Sequence, residues 1–236
     1  MWYKYEMHMH SNEASKCGKS SIVDMVRAYH AAGYSGAVIT DHFTLGNTCV
    51  PRDLPWKERM QRYYDVYLKG KPVADELDFD LIFGIEYCYG YCKEMLVYNI
   101  DIDFLKEHEN IDTLPIAEVG RLIHEAGGYI SHAHPFRFKP YMSEYRDPTF
   151  VMCDSIEVFN YSDSPETNAS AEGAAVALGL GRTSGADAHL LNAESVGKAG
   201  MAFTHRIRTS QELVDALRAR EGKLIVNGEL HDTYYA

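Results

Sequence analysis

His8 and His10 stand one residue apart near the start of the chain, closing an extended run, Tyr3-Lys-Tyr-Glu-Met-His-Met-His10. Along a strand, side chains at i and i+2 share a face, so both imidazoles can converge on one point, as a transition metal requires. The same residue types recur where later hydrophobic runs end: Asp41-His42, Glu86, His132-Ala-His134 and Asp187-Ala-His189. Nitrogen and carboxylate donors scattered along the chain, each just past an apolar run, describe a metal centre assembled at one mouth of an α/β barrel. An isolated pair of buried histidines is more often structural than ligating; the repetition downstream reverses that judgement.

The elements that must position these donors alternate in type. Strand signals cover Gly36–Thr40, Phe79–Phe83 with Gly84-Ile-Glu86 at its end, Glu94–Ile100, Tyr129–His132, Ser155–Phe159, Arg182–Ala186, Gly200–Thr204 and Lys223–Val226. Between them, helical patterns follow Ser20-Ser-Ile-Val-Asp24, run from about Trp56 to Leu68, from Ala117 to Ala126 and from Glu166 to Leu178, and open at the capping box Thr209-Ser-Gln-Glu212. Such alternation with right-handed crossovers predicts a parallel sheet closing into a distorted (β/α)7 TIM-like barrel, one domain over residues 1–236, with a longer loop and helix excursion at about 43–80.

Composition narrows the function classes. The 236 residues carry 34 acidic and 23 basic side chains, a formal charge of −11. That balance argues against a nucleic-acid backbone or an anionic membrane as partner, yet leaves room for an anionic small substrate, because bound divalent ions invert the local field. Five unevenly spaced cysteines read as reduced thiols, and no signal peptide or membrane-length apolar run is visible, so a cytoplasmic protein is expected. Gly18-Lys-Ser20 lacks the earlier glycine of a phosphate-binding loop, Glu13 standing in its place.

Taken in order, His8-Met-His10, Ile39-Thr-Asp-His42, Gly84-Ile-Glu86, His134-Pro135 and Gly185-Ala-Asp-Ala-His189 resemble the motif series of the PHP (polymerase and histidinol phosphatase) family of metal-dependent phosphoesterases. The resemblance covers nearly the whole chain. It implies two or three divalent ions, zinc, manganese or iron: a first held by His8, His10, Glu86 and Asp187, a second by Glu86 and His134, and a third by His42 and His189. The chain departs from the family twice. Glu94 stands where a histidine is usual and could ligate through oxygen, and Ser15 stands where an Asp or His is usual, with Glu13 the nearest carboxylate. Asp41 is expected to hold a loop or orient a ligand, and His132 to support His134.

The chemistry so implied is hydrolysis of a small phosphorylated metabolite, a monoester such as histidinol phosphate or a nucleotide, by a hydroxide bridging two metals. Arg137 is the expected guanidinium for the phosphoryl oxygens, Lys139 a second choice, and His189 or His42 the donor to the leaving group. Two other classes stand beside this one: a catalytically silent metal-binding domain, and a C–N hydrolase of the amidohydrolase type, ranked last because no lysine falls at a strand end.

Overall fold

The computed structural model describes residues 1–191 and 195–233. Its strands are β1 (Tyr3–Met9), β2 (Gly36–Ile39), β3 (Asp80–Gly90), β4 (Lys93–Tyr98), β5 (Tyr129–Ala133), β6 (Ser155–Asn160), β7 (Gly181–Gly185), β8 (Ala199–Phe203), β9 (Lys223–Val226) and β10 (Glu229–Asp232). The helices are α1 (Ile22–Ala31), α2 (Trp56–Glu76), α3 (Ile102–Glu107), α4 (Ile116–Glu125), α5 (Pro165–Leu178) and α6 (Ser210–Arg218). All the strands join one sheet in the order β10-β9-β8-β1-β2-β3-β4-β5-β6-β7. Past the end of β7, Ala188 pairs in parallel with Met9, so the sheet curls back on β1 as a half-barrel.

This mixed sheet departs from the expected (β/α)7 alternation. β1–β2, β2–β3, β5–β6 and β6–β7 pair in parallel, whereas β3–β4, β4–β5, β1–β8, β8–β9 and β9–β10 are antiparallel. The cause is local between β3 and β4. Tyr91 and Cys92 both adopt φ of 53°, the left-handed pair that closes a two-residue hairpin and leaves no room for a crossover helix. Glu86 therefore lies mid-strand on a long β3, beside His42, with which it forms an isolated parallel bridge.

Helix α2 extends well past the expected Leu68. Its buried stripe, Trp56, Met60, Tyr63, Val66, Gly70 and Ala74, keeps helical spacing through Pro72. Gly70 is required by closeness: a Cβ there would lie 2.7 Å from side-chain atoms of Ile22 and of Leu81. One apolar cluster joins α1, α2 and α4 to the sheet; a second gathers Tyr5, Met7, Val38, Leu96 and Ile156 with α5 and α6. Burial of these faces is the main stabilising contribution. Among the described residues no helix is long and apolar enough to cross a membrane.

Candidate metal centre

Strands β1, β2, β3, β4, β5 and β7 each bring a donor to one place. His8 Nε2 lies 3.0 Å from His10 Nε2, 3.1 Å from Glu86 Oε1 and 3.5 Å from Asp187 Oδ1. His10 Nε2 is 3.2 Å from the same Asp187 oxygen. His134 Nε2 approaches Glu86 Oε1 at 3.0 Å and Glu94 Oε2 at 3.6 Å. On the far side of Glu86, His42 Nδ1 is 2.5 Å from Oε2 and 3.3 Å from Glu94 Oε1. The two oxygens of Glu86 thus face different histidines, the arrangement a bridging carboxylate needs. The donors fall into overlapping triads, each with ligand atoms within 4.8 Å of one another: His8–His10–Asp187, His8–Glu86–His134, His42–Glu86–Glu94 and His10–His42–His189.

Backbone geometry aims these groups. A bulge interrupts β1 between Glu6 and Met9, and the N–H groups of Met7 and His8 donate to Glu6 Oε1, each at 3.0 Å. The N–H of Ala186 donates to the same oxygen at 2.8 Å, which ties the turn carrying Asp187 to the strand carrying His8. His134 and Asp187 have φ of 29° and 52°, a conformation uncommon for such residues and held only where surrounding contacts impose it. At His134 the effect is to part it from His132. The latter meets Tyr89 Oη through Nε2 at 2.8 Å and its neighbour's carbonyl through Nδ1, facing away from the cluster. Gly185 packs directly behind the site, where a Cβ would fall 2.5 Å from both His8 Cβ and Glu157 Oε1.

A ring of polar partners fixes the donors. Glu157, on β6, lies 2.9 Å from His8 Nδ1 and accepts from the His134 N–H and from Asn160 Nδ2. With Nδ1 so engaged, His8 presents Nε2 to the cluster, the carboxylate–histidine arrangement common behind metal ligands. His189 is set in the same way: its Nδ1 lies 2.8 Å from the Asp187 carbonyl. Asp41 accepts from Ser11 and Ser15, whose hydroxyl also lies 3.2 Å from His10 Nδ1, so Asp41 orients rather than faces the cluster.

The protonation states follow from the crowding of charge. Burial would keep Glu86 protonated, but His42 and His8 outweigh it and hold its carboxyl well below the usual range. Asp187 is driven down likewise, by His8 and Arg137 against burial. Burial, with His189 and His42 alongside, keeps His10 neutral. Burial opposes charge on His8 too, yet the carboxylates of Glu157, Asp187 and Glu86 raise its pKa well above normal. A carboxylate field that binds protons so firmly also favours divalent cations, which compete with those protons for the same nitrogens. Glu86 Oε2 and His42 Nδ1 are moreover buried and, although in contact, make no well-directed hydrogen bond, a costly state for polar atoms that coordination would relieve. The mixed N/O donor set fits a metal of the zinc, manganese or iron kind.

Most residues singled out in the sequence come together here; some do not. Glu13 is turned away, accepting from the Ile22 N–H at 3.1 Å and from Lys69 Nζ at 2.7 Å, because it caps the start of α1. Arg137 is buried behind the site, not poised over it. Its Nη1 donates to Asp187 Oδ2 at 2.6 Å, Nε to Asp163 Oδ1 at 2.7 Å and Nη2 to Asn160 Oδ1 at 3.0 Å. A guanidinium with two carboxylates in contact is drawn to them, so in this structure Arg137 is engaged with Asp187 and Asp163. Lys139 donates to the Ser162 carbonyl at 3.0 Å. Sequence reasoning missed Glu6, Glu157 and Cys17. A lone carboxylate inside an apolar strand, as in Ser155-Ile-Glu157-Val, was the available signal for Glu157. Burial pushes the Cys17 thiol up, but the nearby His189 and His42 bring it down to about 6.

A family model described as PHP-associated matches residues 165–221, spanning α5, β7, β8 and α6 with the turn that carries Asp187 and His189. No curated protein matches the sequence. Solved structures share its fold. One is a two-domain protein of Bacteroides vulgatus containing a predicted PHP-like metal-dependent phosphoesterase, similar at 15% identity with a TM-score of 0.71 over 98% of this chain and 66% of that one. Another is an amidohydrolase from Chromobacterium violaceum with bound sulfate and no metal, at 15% identity and a TM-score of 0.55 over 90% and 96% of the two chains. A third is Endonuclease Q in complex with a 27-mer duplex bearing an abasic lesion at the active site, at 14% identity and a TM-score of 0.62 over 93% and 57%. The chain thus spans under two thirds of the Bacteroides and Endonuclease Q proteins.

The last of these overturns the exclusion of nucleic acid drawn from net charge. A fold of this kind can present a duplex to its centre, and a charge of −11 summed over a whole surface does not report the local field at a mouth that binds cations. The ordered motifs, the PHP-associated segment and the shared fold all point the same way, to a likeness with the PHP domain family.

Proposed function

We propose that the protein is a metal-dependent phosphoesterase. The observation that carries this reading is the convergence of His8, His10, Glu86, His134 and Asp187, from strands far apart in sequence, into overlapping triads within 4.8 Å. His8, His10, Glu86 and Asp187 would hold one ion, and Glu86, His134 and Glu94 a second, with His42 at its edge. Bound divalent ions would supply a nucleophile at neutral pH and neutralise charge on the phosphoryl oxygens.

The protein's own groups do the rest. A cleft of about 220 Å³ opens over Asp187 and His189, lined also by Tyr161, Ser162 and Leu190. Its size suits a phosphoryl group and a small part of its ester, which favours a small phosphorylated metabolite such as a monoester or nucleotide. Arg137 holds Asp187 in place and keeps it ionised. His189, with Nδ1 at a carbonyl and its side chain 27% exposed, is the group placed to give a proton from Nε2 to the leaving oxygen when it is not itself a ligand.

A second reading, phosphodiester cleavage in nucleic acid, is favoured by the likeness to Endonuclease Q. Elemental analysis of the purified protein, coupled to phosphate release from a panel of phosphorylated metabolites, nucleotides and a lesion-bearing duplex oligonucleotide, tests both. Metal with monoester turnover supports the first reading, and cleavage confined to the oligonucleotide supports the second. Bound metal without turnover of any ester overturns both in favour of a silent metal-binding domain.

A further inference from the structure

We propose that Tyr91, Phe138, Tyr141 and Tyr145 form an aromatic lip beside the metal centre that stacks the base of a free nucleotide. The inference rests on the phosphoesterase reading above and narrows it to one class of leaving group. All four rings are exposed, from 41% at Tyr145 to 70% at Tyr141. Large apolar side chains exposed singly need no explanation, but four gathered on one stretch of surface mark a place where something binds.

Contacts at both ends tie this lip to the site. At one end Phe138 lies between two anchored residues: Arg137 donates to Asp187 Oδ2 at 2.6 Å, and Lys139 donates to the Ser162 carbonyl at 3.0 Å. Asp187 and Ser162 are both walls of the cleft of about 220 Å³, to which Tyr161 and Leu190 add apolar surface. The Met142 N–H closes the next turn on the Lys139 carbonyl at 2.9 Å, with Tyr141 inside it. At the other end Tyr145 packs edge-on against Phe138, ring centres 6.0 Å apart. Its ring also lies 4.8 Å from Nζ of Lys93, the neighbour of Glu94. Arg146 then sits 4.6 Å over the ring of Tyr91, on the hairpin that joins β3 to β4. Rings interleaved with guanidinium and ammonium groups suit a flat heterocycle, which stacks on the faces while cations meet its polar edge. Charge favours a free nucleotide over a strand. Arg146 is already paired with Glu144 at 3.0 Å and Asp147 follows it, so the loop offers successive phosphates acid as well as base.

Adenosine 5′-monophosphate and ribose 5-phosphate share phosphate and sugar and differ in the base, so their comparison reads the lip. Two measurements on the manganese-loaded protein are needed: kcat/KM for each ester, and calorimetric binding of the phosphonate analogue of each, which resists hydrolysis. The base is expected to raise both kcat/KM and affinity about tenfold or more. Phe138→Leu and Tyr91→Leu keep apolar volume but lose the ring, and each should lower that preference about three- to tenfold, chiefly through KM. Leu68→Ser, at an exposed apolar position on α2, should leave the preference intact. Equal values with and without the base, or a preference that survives both leucine variants, overturn the inference while leaving the phosphoesterase standing. Tighter binding of an unpaired tetranucleotide than of the mononucleotide overturns the choice of a free nucleotide. A base preference in binding with no ester turned over keeps the lip and overturns the phosphoesterase reading. Neither turnover nor binding of any of these compounds overturns both.

Discussion

The inner donors, His8, Glu86 and Asp187, and the outer ones, His42 and His189, differ in what stands behind them. Glu157 and Arg137 brace His8 and Asp187, the Glu6 carboxylate ties their two backbones together, and Asp163 and Asn160 brace Arg137 in turn. The outer pair has lighter support: a Ser15 hydroxyl at the His42 N–H, and for His189 one carbonyl and a partly exposed ring. A buried ionic network is costly to assemble and costly to break in part, so it holds one geometry firmly. The inner half is therefore held to one geometry more firmly than the outer half.

Removing the bridge should break that contrast most severely. Glu86→Gln keeps the shape but loses the charge shared by both sides, and phosphoesterase kcat/KM is expected to fall about 10³-fold, or ~4 kcal/mol. Retention of wild-type turnover with metals supplied would remove Glu86 from the bridging role. Arg137→Ala comes next. It leaves the carboxylates of Asp187 and Asp163 buried without their cation, so unfolding stability should drop by about 3 kcal/mol, with loss of metal from the inner position. Denaturant unfolding and elemental analysis check the two effects. A variant with full stability and metal, impaired only in KM, would return Arg137 to the substrate side.

Glu157→Gln sharpens the comparison. Without the carboxylate at Nδ1, His8 is a poorer ligand, and affinity for the inner ion should weaken about 10- to 100-fold in competition with a chromophoric chelator. The outer position, which Glu157 does not touch, should keep its affinity. Equal weakening at both would show that the halves are not independently supported.

How much of this was legible beforehand follows from range. His8-x-His10, Asp41-His42 and Asp187-x-His189 announce themselves because ligand types recur at short spacing next to apolar runs. The bracing groups do not, since Glu157 and Glu6 each read as one odd carboxylate in a strand and acquire meaning only when β6 and β1 are brought beside the ligands. The bracing of Asp187 by Arg137 was hidden for a related reason: its partners Asp163 and Asp187 lie far along the chain. The sheet's mixed direction was hidden in two residues, Tyr91 and Cys92, of types that carry no strong turn signal although both take a left-handed conformation. Glu13 misled because nearness in sequence to His10 is undone by its capping of α1.

The smallest expected effect asks whether the inner half is rigid through its carboxylates alone. Lys93, buried on β4, donates from Nζ to the Pro135 carbonyl at 2.6 Å and lies 4.8 Å from the centre of the Tyr145 ring, clamping the turn that runs from His134 to Arg137. Burial lowers its pKa, and its partners are carbonyls, not an acid. Lys93→Met keeps the apolar stem while releasing the clamp, so it should change stability by less than about 1 kcal/mol, because a buried charge is exchanged for a packed hydrophobe. If the carboxylate network suffices, metal content and kcat remain at wild-type values and KM rises only about two- to threefold as the turn beside the cleft loosens. A fall in metal content instead would locate part of the inner half's rigidity in the turn itself, and the contrast between the halves would then rest on backbone as much as on charge.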